Sequence, residues 1–246
     1  MKILFIGNSF STDANAYLSE IAKAANFPLT ALNLYIGGCS LQRHAKNIEE
    51  NLKEYRVIYN GLETEHYCTV LEALRYTEWD YISLQQVSGN SGLYHTYYPY
   101  INTVLDLVKK ECPNAKILIH ETWAYEKNST HEAFANYDCS QEKMHNALKE
   151  TYERVAKEIN AHMIIPCGDV IARLREYDMF NIEKGGHSLA RDGFHMGLVY
   201  GRYAVAATWY QKMGMGDIMD NPFVPGVGSD LEKIALIKKT VKEICG

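Results

Sequence analysis

An α/β fold, with a five-stranded parallel sheet covered on both faces by helices, is predicted by three features of the sequence. Apolar runs too short for helices, such as Ile3-Leu4-Phe5-Ile6, Ile117-Leu118-Ile119 and Met163-Ile164-Ile165, recur between longer amphipathic segments. Such runs suit strands buried on both faces of a parallel sheet. Several of these strands run into polar or glycine-bearing loops: Gly7-Asn8-Ser9, Gly37-Gly38 and Gln85-Gln86-Val87-Ser88-Gly89-Asn90. Strand and helix alternate along the whole chain without an internal repeat or linker, which is the pattern of one doubly covered sheet. At 246 residues the chain fits a single large domain, 1–246.

The first strand, Ile3–Ile6, stops at Gly7, and a helix spans Ala14–Ala25 with Leu18, Ile21 and Ala22 on one face. Ser9 therefore lies on a strand-to-helix turn. Leu29–Ile36 forms the second strand and Leu41–Tyr55 a charged surface helix. Within residues 56–67, Asn60-Gly61 separates two short strand-like runs, the signature of a small hairpin inserted into the alternation. A short helix over 68–77 precedes the third strand, Asp80–Leu84. An aromatic stretch, Leu93–Tyr100, then leads through Pro99 into a helix ending near Lys110.

The fourth strand, Lys116–His120, opens onto Trp123 and Tyr125 and a polar loop from Glu126 to Ser140, long enough to suggest a functional role. Gln141–Asn160 is a strongly amphipathic helix, His162–Pro166 the fifth strand and Asp169–Tyr177 a short helix. A helix from His195 or Met196 to Met213 and another over Leu231–Ile244 complete the chain.

Composition narrows the function. Hydrophobic residues at 47% and charged residues at 22% describe an ordinary globular chain and exclude a mainly disordered one. A net charge of -5, with no basic cluster interleaved with aromatics, leaves nucleic acid without an electrostatic footprint. No apolar run has the length of a membrane span. Polar Asn8 and Ser9 interrupt the first apolar run before it could act as a signal sequence, so a cytoplasmic location is expected. The six cysteines form no C-x-x-C pair and are read as reduced thiols.

Open α/β sheets bind ligands beyond the carboxyl ends of their strands, where Ser9 falls. Taken alone, Ser9 and Ser11 are equally compatible with helix capping. As a nucleophile Ser9 needs a base, because a hydroxyl is a weak nucleophile at neutral pH. The best partner lies far downstream in Arg191-Asp192-Gly193-Phe194-His195-Met196. A helical or turn-like pitch lets Asp192 hold one ring nitrogen of His195 while the other faces the serine. His120 ends the fourth strand, a position open to a ligand-facing role, but His120-Glu121 lacks the second histidine of a zincin helix, and the other histidines have no ligand or catalytic spacing. No metal or other cofactor is expected.

Together, Gly-Asn-Ser-Phe-Ser at 7–11, Ile-Gly-Gly-Cys-Ser at 36–40 and Asp-Gly-Phe-His at 192–195 resemble the ordered sequence blocks of the SGNH hydrolases, the GDSL-like esterase and lipase superfamily. Asn8 stands where that superfamily usually has Asp. The chain is also similar to a subset without assigned function in which Leu-Gln-Gln after the third strand and Thr-Trp-Ala-Tyr after the fourth recur. The resemblance implies a flavodoxin-like three-layer α/β/α sandwich, with Ser9 as nucleophile, His195 as base and Asp192 as its partner.

It also implies an oxyanion hole from the N–H groups of Ser9 and Gly38 and an Asn side chain in a G-x-N-D block. That block is replaced here by residues 85–90. Gln86 is the first candidate for the third donor and Asn90 the second, since a Gln amide donates as Asn does; strand alternation would turn Gln85 to the opposite face. Trp123, Tyr125 and Tyr94 follow strand ends and are candidate substrate contacts, because flat rings suit sugar faces. The expected activity is removal of a short acyl group, acetyl foremost, from a carbohydrate or other small ester, with a non-catalytic carbohydrate-binding protein as the alternative.

Overall fold

The computed structural model describes residues Met1–Gly246. Seven strands form one sheet: β1 (Lys2–Gly7), β2 (Thr30–Tyr35), β3 (Tyr55–Tyr59), β4 (Leu62–Cys68), β5 (Tyr81–Leu84), β6 (Lys116–His120) and β7 (Met163–Ile165). Their order is β4-β3-β2-β1-β5-β6-β7. β2, β1, β5, β6 and β7 are mutually parallel, as the alternation predicts. β3 and β4 are the two strands of the expected hairpin. The hairpin does not stand apart: β3 pairs antiparallel with β2 and extends the sheet from five strands to seven. Asn60 and Gly61 both have positive φ, 50° and 81°, as the tight turn between them requires.

The helices are α1 (Ser9–Asn15), α2 (Leu18–Ala24), α3 (Leu41–Glu49), α4 (Val70–Leu74), α5 (Tyr100–Glu111), α6 (Gln141–Glu158), α7 (Cys167–Leu174), α8 (Tyr200–Lys212) and α9 (Leu231–Cys245). α1, α2, α7 and α9 gather around α8, while α3 and α4 pack on α5, giving the two outer layers. Ile3, Leu4, Phe5 and Ile6 of β1 are fully buried between those layers, and each such side chain contributes roughly 1.5–3 kcal/mol. All six cysteines are free, and no helix is long and apolar enough to cross a membrane.

Several boundaries differ from the sequence reading: the helix read over Leu41–Tyr55 ends at Glu49 because the chain turns into β3 at Tyr55, the helix read over 68–77 is confined to Val70–Leu74, and two further differences lie beside Ser9. The first helix starts five residues earlier, at Ser9, because the Asn8 side chain caps it by accepting from the Phe10 N–H. A break at Ala16-Tyr17 then divides it into α1 and α2. Near the other end α8 starts only at Tyr200, so His195 lies in a loop, where the backbone bridge between Ala190 and Met196 closes a short excursion.

Two histidines are buried in the core. His44 Nδ1 lies 2.9 Å from the Tyr55 hydroxyl, and His120 Nδ1 accepts from Trp209 Nε1 at 3.1 Å. Burial pushes both pKa values down to about 3. The unfolded chain binds these protons below about pH 6.5 while the folded chain does not, so stability falls as pH drops through that window. At pH 5 the two sites together are expected to cost about 4 kcal/mol relative to pH 7. Urea denaturation across pH 5–7 measures this slope, and His120→Gln should remove about half of it.

Candidate active site

β1 delivers Ser9 to the sheet's carboxyl edge. Gly7 allows the turn, since a Cβ there would lie 2.3 Å from Ser11 Oγ. Ser9 Oγ is 2.9 Å from His195 Nε2, and His195 Nδ1 is 2.7 Å from Asp192 Oδ2. The other oxygen, Asp192 Oδ1, accepts from the backbone N–H groups of His195 at 2.7 Å and Phe194 at 3.2 Å. The three-residue spacing therefore forms a side-chain-to-backbone turn rather than a helical pitch. Partial burial alone would raise the Asp192 pKa. The hydrogen bonds from the His195 ring and the two N–H groups outweigh it and hold the carboxyl below its ordinary range.

The loop that carries His195 is held against α1 by Asp13, one turn beyond Ser9. Fully buried, its carboxylate accepts from Arg191 Nη1 at 3.0 Å, Arg202 Nε at 2.8 Å and the Met196 N–H at 2.8 Å. Arg191 also donates to the Met196 carbonyl. Ser9 and His195 are thus referenced to the same helical turn. The sequence reading missed Asp13, Arg191 and Arg202; the one available signal was an acidic residue placed a helical turn from the serine.

Asn8 links the other loops. Its Oδ1 accepts from the Phe10 N–H and from Gln85 Nε2 at 2.8 Å, and its Nδ2 donates to the Cys39 carbonyl at 3.0 Å. The turn after β1 is thereby tied to the loop that carries Gly38. Gly38 has φ +61° and is exposed. Its N–H and that of Ser9 make no hydrogen bond within the chain.

Four sequence expectations need correction. Gln86 has no N–H left for a substrate: Nε2 donates to the Thr96 carbonyl at 3.0 Å and to Thr96 Oγ1 at 3.1 Å, while Oε1 accepts from Leu41 and Val87. Through Leu41 it supports the Gly38 loop from within. Gln85 does not turn away from the site; it braces Asn8. Trp123 and Tyr125 are wholly buried. Trp123 stacks on Phe10 with centroids 4.3 Å apart and donates to the Phe194 carbonyl at 2.7 Å, so it is a floor under the loop that carries His195. The Tyr125 hydroxyl pairs with Ser88 Oγ at 2.8 Å. Tyr94 is committed to α6, under the Arg154 guanidinium and bonded to Glu158. Asn90, in a 3-10 turn over Ser88–Asn90, is half-buried, and its side-chain amide makes no hydrogen bond.

The long polar loop does border the site. Glu126 N–H donates to the Gly193 carbonyl at 2.7 Å, Ser129 packs on Gly193, and the His131 ring meets Phe194 edge-on at 4.7 Å.

Fold and constellation define a class: the chain has the architecture of the SGNH hydrolases. It is similar over 87% of its length to a putative GDSL-like lipase from Parabacteroides merdae (15% identity, 96% of that chain, TM-score 0.57). An acetylxylan esterase from Geobacillus stearothermophilus is similar over the same share (15% identity, 94% of that chain, TM-score 0.55). Within this class the chain belongs to the DUF4886 family, a domain of unknown function whose model matches residues 2–241. A DUF4886 family protein from Bacteroides uniformis is 33% identical over 99% of this chain and 93% of its own, with a TM-score of 0.91. No curated protein matches.

Asp13→Asn should lower the unfolding free energy by about 3 kcal/mol, because two guanidinium groups lose their buried counter-charge. Urea denaturation measures it; a loss well under 1 kcal/mol would mean that solvent can replace this carboxylate.

Proposed function

We propose that this protein is a serine esterase that removes a short acyl group, acetyl foremost, from a carbohydrate or a similar polar ester. The observation that carries the reading is the continuous hydrogen-bond chain from Ser9 Oγ through His195 to Asp192. His195 Nε2 takes the Ser9 proton as Oγ attacks the ester carbonyl, and Asp192 stabilises the imidazolium that forms. The oxyanion is met by the free N–H groups of Ser9 and Gly38, with the Asn90 amide as third donor. His195 then returns the proton to the departing alcohol. Water, deprotonated by the same imidazole, hydrolyses the acyl-enzyme and regenerates Ser9. None of these steps calls on a metal or cofactor.

The residues around the triad support this substrate class. Ser40, Asn90, Ser129 and His131 are half-buried polar residues on the loops around it, while the large aromatics Trp123 and Tyr125 lie beneath. A hydrogen-bonding rim suits a polyhydroxylated alcohol better than an acyl chain. The fold likeness to an acetylxylan esterase favours the same class. The second reading, a carbohydrate-binding protein without turnover, draws on Gln86, whose engagement leaves the oxyanion hole without its expected third donor.

Hydrolysis of p-nitrophenyl acetate and octanoate decides between them. The parent should prefer acetate, and Ser9→Ala and His195→Ala should each lower kcat by at least about 10³-fold. Asn90→Ala should cost about 10²-fold in kcat, and an unchanged kcat would remove Asn90 from the oxyanion hole. A fluorophosphonate should label Ser9 stoichiometrically in the parent and not in His195→Ala. A parent that neither turns over nor labels, yet binds acetylated oligosaccharide, would establish the binding protein instead.

A further inference from the structure

A second cluster of chemistry lies where the edge of the sheet meets α6 and α7. Glu121 directly follows β6, His145 sits on the first turns of α6, and Asp169 lies in the first turn of α7. One donor atom from each falls within 4.8 Å of the other two. His145 Nε2 is 3.3 Å from Asp169 Oδ1. Glu121 is only 3% exposed, and its Oε1 has no hydrogen-bond partner. The backbone closes directly over that carboxyl: a Cβ on Gly168 would stand 3.1 Å from Glu121 Oε1. Burying an unsatisfied carboxyl oxygen is costly, and nothing in the triad's chemistry uses this one.

We propose that Glu121, His145 and Asp169 bind a divalent transition-metal ion of the zinc class, which joins the end of β6 to α6 and α7. One imidazole nitrogen and two carboxylate oxygens, with water as fourth ligand, make a set that zinc accepts, whereas calcium and magnesium favour all-oxygen shells. Tetrahedral bonds of about 2.0–2.1 Å bring donor atoms to about 3.3 Å from one another. The His145–Asp169 pair already has that spacing, and the Glu121 donor lies within 4.8 Å of both.

Lys149 is the competitor built into the site. It lies one helical turn beyond His145, and its ammonium is 2.9 and 3.1 Å from the two Asp169 oxygens. Its side chain is 46% exposed, so it can swing into water when the ion arrives. The sequence conceals the site because its three residues are far apart in the chain, and His145 by itself has no ligand spacing.

The test is equilibrium dialysis of the chelator-treated full-length protein against zinc chloride. Cobalt(II) absorption then reports the coordination geometry. One ion per chain is expected. Glu121→Gln and His145→Asn should each weaken binding by about 100-fold, and Lys149→Met should tighten it by about tenfold. Circular dichroism establishes that each variant is folded; should Glu121→Gln not fold, His145→Asn and Lys149→Met carry the test. Absence of stoichiometric zinc, or uptake that both Glu121→Gln and His145→Asn leave intact, overturns the proposal. Because the readout is metal content, the result is independent of whether Ser9 hydrolyses esters.

Discussion

The Asp13 carboxylate holds together parts of the chain that are almost two hundred residues apart. Ser9 arrives from the first strand and His195 from a loop near the other end, and neither has a covalent reason to meet. Asp13 is on the same short helix as Ser9 and accepts hydrogen bonds from Arg191, Arg202 and the Met196 backbone, which flank His195 on both sides. A buried carboxylate with charged donors on two sides tolerates little displacement, since any gap leaves a desolvated charge unpaired. The 2.9 Å contact between Ser9 and His195 is a consequence of that anchoring as much as of the two residues themselves.

A second layer of polar side chains supports the loops from within. Asn8 caps α1, takes a hydrogen bond from Gln85 and gives one to Cys39, while Gln86 reaches Leu41 and Thr96. Each amide joins two loops that leave the sheet at different strands. Loops cannot bury their backbone groups as strands do, so side-chain amides supply the missing partners. The aromatics do comparable work by area: Trp123 lies flat on Phe10 and bonds to the Phe194 carbonyl, setting the floor on which the His195 loop rests. The polar supports meet the loops through directed bonds and the aromatics through packing.

The strand and helix series was legible because each element carries its own periodicity. The apolar runs of β1, β6 and β7, the amphipathic face of α6 and the Asn60-Gly61 turn are local patterns, and they reappear within a residue or two of where they were read. The hydrogen-bonded trio of Ser9, His195 and Asp192 was legible for another reason: Ser9 sits at a strand end, and Asp192 and His195 share one short motif. Side-chain direction in loops was not legible. Gln85, Gln86, Trp123 and Tyr125 were placed correctly along the chain, but whether each faces substrate or interior depends on partners such as Thr96, Phe10 and Ser88, which come from other segments.

What the sequence determined by itself is therefore the order and type of elements, the parallel core of the sheet and the residues offered to the active site, all of which follow from short-range spacing and side-chain chemistry. The tertiary structure alone decided that the hairpin joins the sheet edge, that α1 begins at Ser9, that Asp13 aligns Ser9 with the His195 loop, and that Glu121, His145 and Asp169 converge. Those outcomes depend on which distant groups are buried together. Burial is a property of the packed chain, and no local stretch encodes it alone.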